Sequence, residues 1–346
     1  MKRCFILILA AALCLSGCGK QEKEASAQIF AMDTVMEIAA FGPQAEEAVS
    51  ETESQIQELE KQLSRTLPDS DVSRINRNGT TPTTGIAAGT WALLEAALEY
   101  GDATDGAFDI TIAPVMDAWG FTGDNFRVPE QAELDALLRR VSSGEIQMQA
   151  ESTESVALGE GQAIDLGGIA KGYAGDAVRT VLAELNVTSA VIDLGGDVGL
   201  LGAKPDGSDW RIAVKDPADP SKFLGVLTAA DTFVVTSGIY ERGFEENGVR
   251  YHHIIDPKTG KPAESGLVSV TVVCGDGAWA DALSTACFVL GEAGSLALRD
   301  TLAAEKNLRI ELILVTDDGH VRYTAGLAER FEPSEEGTYV YEAIIA

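Results

Sequence analysis

From about residue 190 onward this sequence is written as strands in series. The runs "SAVIDLG", "WRIAVKD", "FLGVLTAA", "TFVVTSG" and "GLVSVTVVC" succeed one another with few intervening helical patterns. "LRIELILVTDDGHVRYT" then reads as two β-rich runs around Asp317-Asp318-Gly319, a hairpin signal. A Rossmann fold needs regular alternation of strand and helix, and this half of the chain lacks it. The expectation is an α+β fold with a mixed, largely antiparallel sheet and packed helices.

The first half supplies the helices. "AEEAVSETESQIQELEKQLS" places Ala45, Ala48, Val49, Thr52, Ile56, Leu59 and Leu63 on one face, with charge elsewhere. "GTWALLEAALEYG" reads as a short helix ended by Gly101, and "PEQAELDALLRRV" as one opened by Pro129. "QIFAMDTVMEIAAF" reads as a strand entering the fold.

The pentapeptide IDLGG occurs twice, at Ile164–Gly168 and Ile192–Gly196. The first copy continues into "IAKGYAGDAVRTVLAELN", where Ile169, Tyr173, Ala177, Val181, Leu182 and Leu185 form an apolar helical face. It predicts a strand end, a double-glycine turn and a helix N-terminus. Such a turn either forms a structural corner or lets backbone N–H groups approach an anion. The second copy runs into "DVGLLGAKPDG", without helical period, and predicts a tight turn into a short strand or loop. Neither copy is a P-loop or a dinucleotide fingerprint, because the glycine spacings differ.

The N-terminus stands apart from the fold. Lys2 and Arg3 precede an apolar run from Phe5 to Leu15, followed by Leu15-Ser16-Gly17-Cys18. This resembles a bacterial lipoprotein signal, implying cleavage before Cys18 and lipid on its thiol. The expected organisation is a signal over 1–17, a polar tether over 18–27 and one domain over 28–346. Localisation follows as a lipid-anchored protein at the cell membrane, facing the extracytoplasmic side. Beyond the signal, 24 basic residues face 54 acidic ones. That balance argues against nucleic acid as a partner and against broad contact with anionic lipid. An anionic substrate would be held through a metal ion and backbone N–H groups. Beyond Cys4, Cys14 and Cys18, only Cys274 and Cys287 remain. Both read as small buried apolar residues, with a disulfide left open.

Three further stretches carry chemistry. In "DGAFDITIAPVMDAWGF", Phe108 beside Asp109 offers either a wall for a planar ring or a strand-edge Phe with a turn Asp. "RYHHIIDPKTGKP" holds two of the three histidines just before a turn, as a base or as structural residues. In "GAWADALSTACFVLG", helical from Ala278, Asp281 and Thr285 lie four apart and project from one face. A carboxylate with a hydroxyl suits Mg²⁺. The same pair also reads as a helix-start Asp and a Thr bonded to its own backbone.

Taken in order, "AMDTVM", "GAFDITIAPV", "IDLGGIAKGYAGD", "IDLGGD", "TSGIYER", "HHIIDPKTGKP" and "ADALSTACFVLG" resemble the motifs of the ApbE family over about residues 28–325. The resemblance implies a Mg²⁺-dependent FAD:protein FMN transferase. FMN would pass from FAD to a Ser or Thr hydroxyl of an exported or membrane target, such as a respiratory or FMN-binding-domain protein, releasing AMP. Two alternatives share the site: an FAD pyrophosphatase giving FMN and AMP, and a non-catalytic flavin-binding lipoprotein. Matched by motif, Met32, Ala107, Phe108, Asp109, Asp165, Lys171 and Ile255 look like FAD contacts. Asp281, Thr285 and the carbonyl of Gly168 look like Mg²⁺ ligands, with Asp281 and His253 catalytic and His253 the base. The family often carries an aromatic residue near Thr66 and a polar residue at Ile239; this chain has neither.

Overall fold

The N-terminal apolar stretch expected as one strand is a hairpin. In the computed structural model, which describes residues 23–123, 125–150 and 154–345, Glu24–Ala31 (β1) pairs antiparallel with Thr34–Phe41 (β2). Met32 and Asp33 turn the chain with φ of 50° and 60°, the sign that a two-residue type I′ hairpin demands. Asn-Gly would have announced such a turn; Met-Asp does not. β1 also begins inside the expected tether 18–27, because Glu24–Ala27 pair with Ile38–Phe41. Cys18 and the signal over 1–17 lie outside the described residues.

Ala45–Leu63 (α1) buries the seven residues of its expected stripe. Asp71–Asn78 (α2), Thr83–Thr84 (β3) and Ala88–Ala103 (α3) follow. α3 runs through Gly101 instead of stopping there. A Cβ at Gly101 would press on Ser143 Oγ at 3.2 Å and the Phe108 carbonyl at 3.3 Å, so the glycine serves close packing. Next come Ala113–Trp119 (α4), Gln131–Leu138 (α5), Gln147–Gln149 (β4) and Ser155–Ala157 (β5). β5 pairs with β3 and β4 in a small sheet.

After Ala170–Glu184 (α6) the strands accumulate: Ser189–Asp193 (β6), Val198–Leu201 (β7), Trp210–Lys215 (β8), Phe223–Ala229 (β9), Phe233–Gly238 (β10), Gly243–Glu246 (β11), Val249–His252 (β12) and Leu267–Cys274 (β13). Gly277–Lys306 (α7) interrupts them before Ile310–Thr316 (β14), His320–Thr324 (β15), Phe331–Pro333 (β16) and Val340–Ile344 (β17). The main sheet has nine strands in the order β1-β2-β6-β7-β10-β13-β14-β15-β17. Its pairings are antiparallel except β15 with β17, so the α+β expectation holds.

One face of this sheet carries α1, α6 and α7. Ile38, Ile192, Val235 and Val272 meet Ile56, Val178 and Leu283 in the largest apolar core. Fully burying a side chain of this size contributes about 1.5–3 kcal/mol. The opposite face packs on a three-stranded sheet, β16-β9-β8, through Leu200, Val234 and Ile313 against Val214, Leu227 and Phe331. α7 is long and apolar enough to cross a bilayer, yet Ala280, Leu283, Ala286 and Phe288 are buried in the core. Cys274 and Cys287 are both buried and free.

Candidate active site

The site is built where the starts of α6 and α7 meet. A Cβ on Gly172 would collide with the Gly277 carbonyl oxygen and lie 2.7 Å from Asp281 Cβ. Two glycines therefore let the helices touch backbone to backbone. The buried face of α6 follows from this contact. It is the small-residue face of Ala170, Gly172, Ala174, Gly175, Val178 and Leu182; of the stripe that periodicity selects, Ile169 and Leu182 are buried, whereas Tyr173, Ala177 and Leu185 are not. Those three are partly buried at its margin.

The first IDLGG copy enters this junction without a strand. Asn76 holds Ile164 on both sides, donating to its carbonyl at 2.9 Å and accepting from its N–H at 2.7 Å. Asp165 N donates to the Ile110 carbonyl at 2.8 Å. One side chain thus replaces a neighbouring strand, which no sequence pattern shows. The second copy behaves as expected: β6 ends in a turn with Gly195 at φ 78° and Gly196 at φ 103°, then β7 begins.

Asp281, one turn into α7, is buried and accepts the Gly172 N–H at 2.9 Å. Burial pushes its carboxyl up to about 7; Asp197 adds to the rise and Lys171 opposes it. Lys171 Nζ lies 2.6 Å from Asp197 Oδ2. Burial works against the Lys171 ammonium, but Asp197 and Asp281 outweigh it and hold its pKa above the ordinary value.

Thr285 stands one turn beyond Asp281. Thr52, Thr180 and Thr301 turn their hydroxyls back to helix carbonyls at 2.8, 2.9 and 2.9 Å. Among the described residues Thr285 makes no such bond, and it lines the cavity instead. A Cβ added at Gly168 would sit 3.7 Å from Thr285 Oγ1 and 3.3 Å from the Phe108 ring. The bare glycine leaves a cradle between the two. Asp281, Thr285 and the Gly168 carbonyl are all oxygen donors, which fits Mg²⁺. No group of three or more His, Cys, Asp or Glu able to hold a metal is found among the described residues. A Mg²⁺ site does not need one, since water and substrate phosphate complete its shell.

The wall around Phe108 is rigid. The Asp109 carboxylate accepts from Thr111 N at 2.8 Å, Thr111 Oγ1 at 2.6 Å and Ser143 N at 3.1 Å. It therefore shapes the wall, and its lone pairs are largely committed to the protein. Asp165 accepts the Gly167 N–H at 2.8 Å and Arg65 Nη1 at 3.1 Å, while Arg65 Nη2 reaches Asp117 at 2.9 Å. Arg65 had no signal as a lone cation after a helix. It stands beside Thr66 in the wall where the resemblance implies an aromatic residue. Met32 is brought in by the β1–β2 turn, its N–H held by Glu60 Oε1 at 2.8 Å.

The two histidines diverge. His252 is buried edge-on to Phe288, ring centroids 5.4 Å apart. His253 lines the cavity, and its Nδ1 lies 3.1 Å from the Arg242 carbonyl. A carbonyl only accepts, so Nδ1 carries the proton and Nε2 is left with its lone pair. Burial lowers the His253 pKa to about 4, keeping the ring neutral near pH 7. Ile255 joins Trp119 and Leu134 in a separate apolar cluster, which fixes the segment after His253.

All eleven residues implied by the resemblance line one cavity of about 920 Å³: Met32, Ala107, Phe108, Asp109, Asp165, Gly168, Lys171, His253, Ile255, Asp281 and Thr285. That volume lies at the upper end of the ~300–1,000 Å³ typical of ligand pockets.

Comparison with known proteins identifies the relatives of this chain. The model of the ApbE family matches residues 32–308. The chain is 31% identical over 338 residues to an FAD:protein FMN transferase of Vibrio cholerae, covering 95% of this chain and 99% of that one. It is 36% identical over 292 residues to an FAD:protein FMN transferase of Klebsiella pneumoniae, covering 83% and 88%. The crystal structure of the ApbE protein from Thermotoga maritima superposes with a TM-score of 0.78 at 33% identity, covering 90% of this chain and 97% of that one.

Proposed function

This chain belongs to the ApbE family, and from that premise we propose that it is an FAD:protein FMN transferase. The acceptor is a Ser or Thr hydroxyl of an exported or membrane protein. The hydroxyl oxygen bonds to the FMN-side phosphorus, the P–O bond to the AMP half breaks, and AMP leaves. The observation that carries the reading is the meeting, in one cavity, of an oxygen-donor cradle with a neutral histidine whose Nε2 is unprotonated.

Each residue has a task set by its surroundings. His253 Nε2 takes the hydroxyl proton. Phe108, packed beside Gly168, offers an apolar wall to the flavin ring. Lys171 supplies a fixed positive charge near the phosphates, held by Asp197. Asp281, Thr285 and the Gly168 carbonyl would hold Mg²⁺, which when bound offsets negative charge on the pyrophosphate oxygens. A metal accounts for an acidic protein binding an anionic dinucleotide.

We also propose that the protein is anchored through Cys18 on the extracytoplasmic side. Five residues separate Cys18 from the start of β1, a reach of at most about 20 Å. The domain would then work close to the membrane surface.

The test incubates the purified chain with FAD and Mg²⁺, with and without an FMN-binding-domain acceptor. AMP release and protein-bound flavin fluorescence are followed together. Flavin appearing on the acceptor in step with AMP supports the transferase. AMP released at the same rate without acceptor, and no flavin on protein, would instead identify the pyrophosphatase.

A further inference from the structure

The residues implied for FAD and metal come from the β1–β2 turn, the Phe108 segment, the first IDLGG, the start of α6, the His253 loop and α7. The cavity extends further, to a wall that none of these roles uses. Arg211, Ile212, Ala213, Val214 and Lys215 of β8 all line it. Side chains alternate along a strand, and here Arg211, Ala213 and Lys215 are exposed while Val214 is buried. A cavity touched by five consecutive residues of both parities faces the strand's edge. β8 ends its three-stranded sheet and, among the described residues, pairs only with β9. Its outer N–H and C=O groups are therefore turned to the cavity.

Opposite this edge lies the main sheet. Val191 and Asp193 of β6 line the cavity, and they pair with Ala39 and Glu37 of β2. Val35, two residues before Glu37, shares that face and pairs with Phe30. Phe30 is 74% and Val35 49% exposed, a large apolar pair left open on the outer reach of the floor. At the end of β2 and the start of β8, Phe41 and Trp210 bring the two sheets into contact, with ring centroids 6.0 Å apart.

We propose that the acceptor polypeptide enters along this groove as an added strand on the free edge of β8, with Phe30 and Val35 meeting an apolar side chain of it. The proposal rests on the flavin-transfer reading above. A Ser or Thr hydroxyl can reach a buried phosphorus only if its backbone is presented extended and held in register. An unpaired strand edge does this through main-chain hydrogen bonds, while pockets on alternate sides select side chains. The groove opens on the cavity that holds His253, so a bound strand delivers its hydroxyl to the base.

The test is backbone hydrogen exchange of the FAD-loaded chain, with and without a ten-residue peptide spanning the acceptor hydroxyl of an FMN-binding-domain protein. Amides in 211–215 are expected to slow on adding the peptide. Two variants accompany it, Ile212→Pro and Ala213→Pro. Consecutive N–H groups of a strand point to opposite edges, so one of the two removes an outward donor. That variant is expected to raise the KM for the acceptor about tenfold more than the Kd for FAD, the equivalent of about 1.4 kcal/mol. Flavin transfer with unchanged exchange at β8 would overturn the docking edge and leave the transferase standing. Slowing of the same amides by FAD alone would also overturn it, since the dinucleotide would then fill the groove. Absence of transfer by the wild-type chain would overturn both.

Discussion

Lys171 and Asp197 join the two IDLGG segments. Lys171 lies three residues beyond the first copy, Asp197 directly follows the second, and Nζ stands 2.6 Å from Oδ2. The repeated motif thus makes two halves of one support: both copies line the cavity, and the second holds the lysine that follows the first in place.

Breaking that pair leaves a charge without its partner in a buried place. Asp197→Ala is expected to cost about 3–5 kcal/mol of stability, as for other buried pairs that lose one member. Lys171→Met with Asp197→Leu should recover much of the loss while transfer stays absent. Urea unfolding of the two variants beside wild type checks this; equal stability of Asp197→Ala and wild type would refute it.

His253→Ala is expected to bind FAD within a few-fold of wild type and lose transfer by about 10²-fold or more. His252→Ala should instead lower stability, because its ring packs against Phe288 in the core, and leave the rate per folded molecule near normal. Fluorescence quenching by FAD and acceptor-bound flavin separate the two outcomes.

The His253 pKa also predicts a pH dependence. It falls from 6.5 to about 4 on folding, so the unfolded chain binds the proton more tightly. The resulting stability is present above pH 6.5 and is lost as pH falls through 4. His253→Gln should therefore gain on wild type by about 2 kcal/mol between pH 7 and 4, less than the full shift because the ring is partly exposed. Parallel denaturation curves at the two pH values measure the difference.

Asp281→Ala should abolish turnover at any FAD concentration, and EDTA should do the same to wild type. Thr285→Ala should be milder, because water replaces a neutral ligand. It should also leave thermal stability nearly unchanged, since the hydroxyl lines the cavity. A large drop in Tm for Thr285→Ala would show that the hydroxyl has a structural bond.

Two glycines of the same loop-helix segment should respond differently. Gly172→Ala drives a methyl into the Gly277 carbonyl and is expected to destabilise by about 1–3 kcal/mol or more. At Gly168 the nearest contact is 3.3 Å, to the Phe108 ring. Gly168→Ala should therefore fold with little change in Tm and lose affinity for FAD. Calorimetry beside FAD titration resolves the pair.

Cys18→Ser is expected to shift the protein from membrane to soluble fractions while the purified domain keeps its activity. Equal membrane retention of the variant would remove the lipid anchor from the proposal.

The sequence by itself determined the elements whose cause is local. The stripe from Ala45 to Leu63, the strands after residue 190 and the hairpin at Asp317–Gly319 follow from periodicity and turn chemistry. The motif resemblance located the residues that line the cavity. Tertiary structure alone decided the rest. The Met32–Asp33 turn relies on positive φ in residues that seldom adopt it, and only pairing of β1 with β2 shows it. The buried face of α6 was set by a glycine contact with α7, where backbone proximity outweighs side-chain bulk. Arg65 entered the site through ion pairs to Asp117 and Asp165, and Asp197 through one to Lys171. The edge of β8 met the cavity because two sheets stack. None of these contacts leaves a periodic pattern in the chain, because each joins segments that the fold alone makes neighbours.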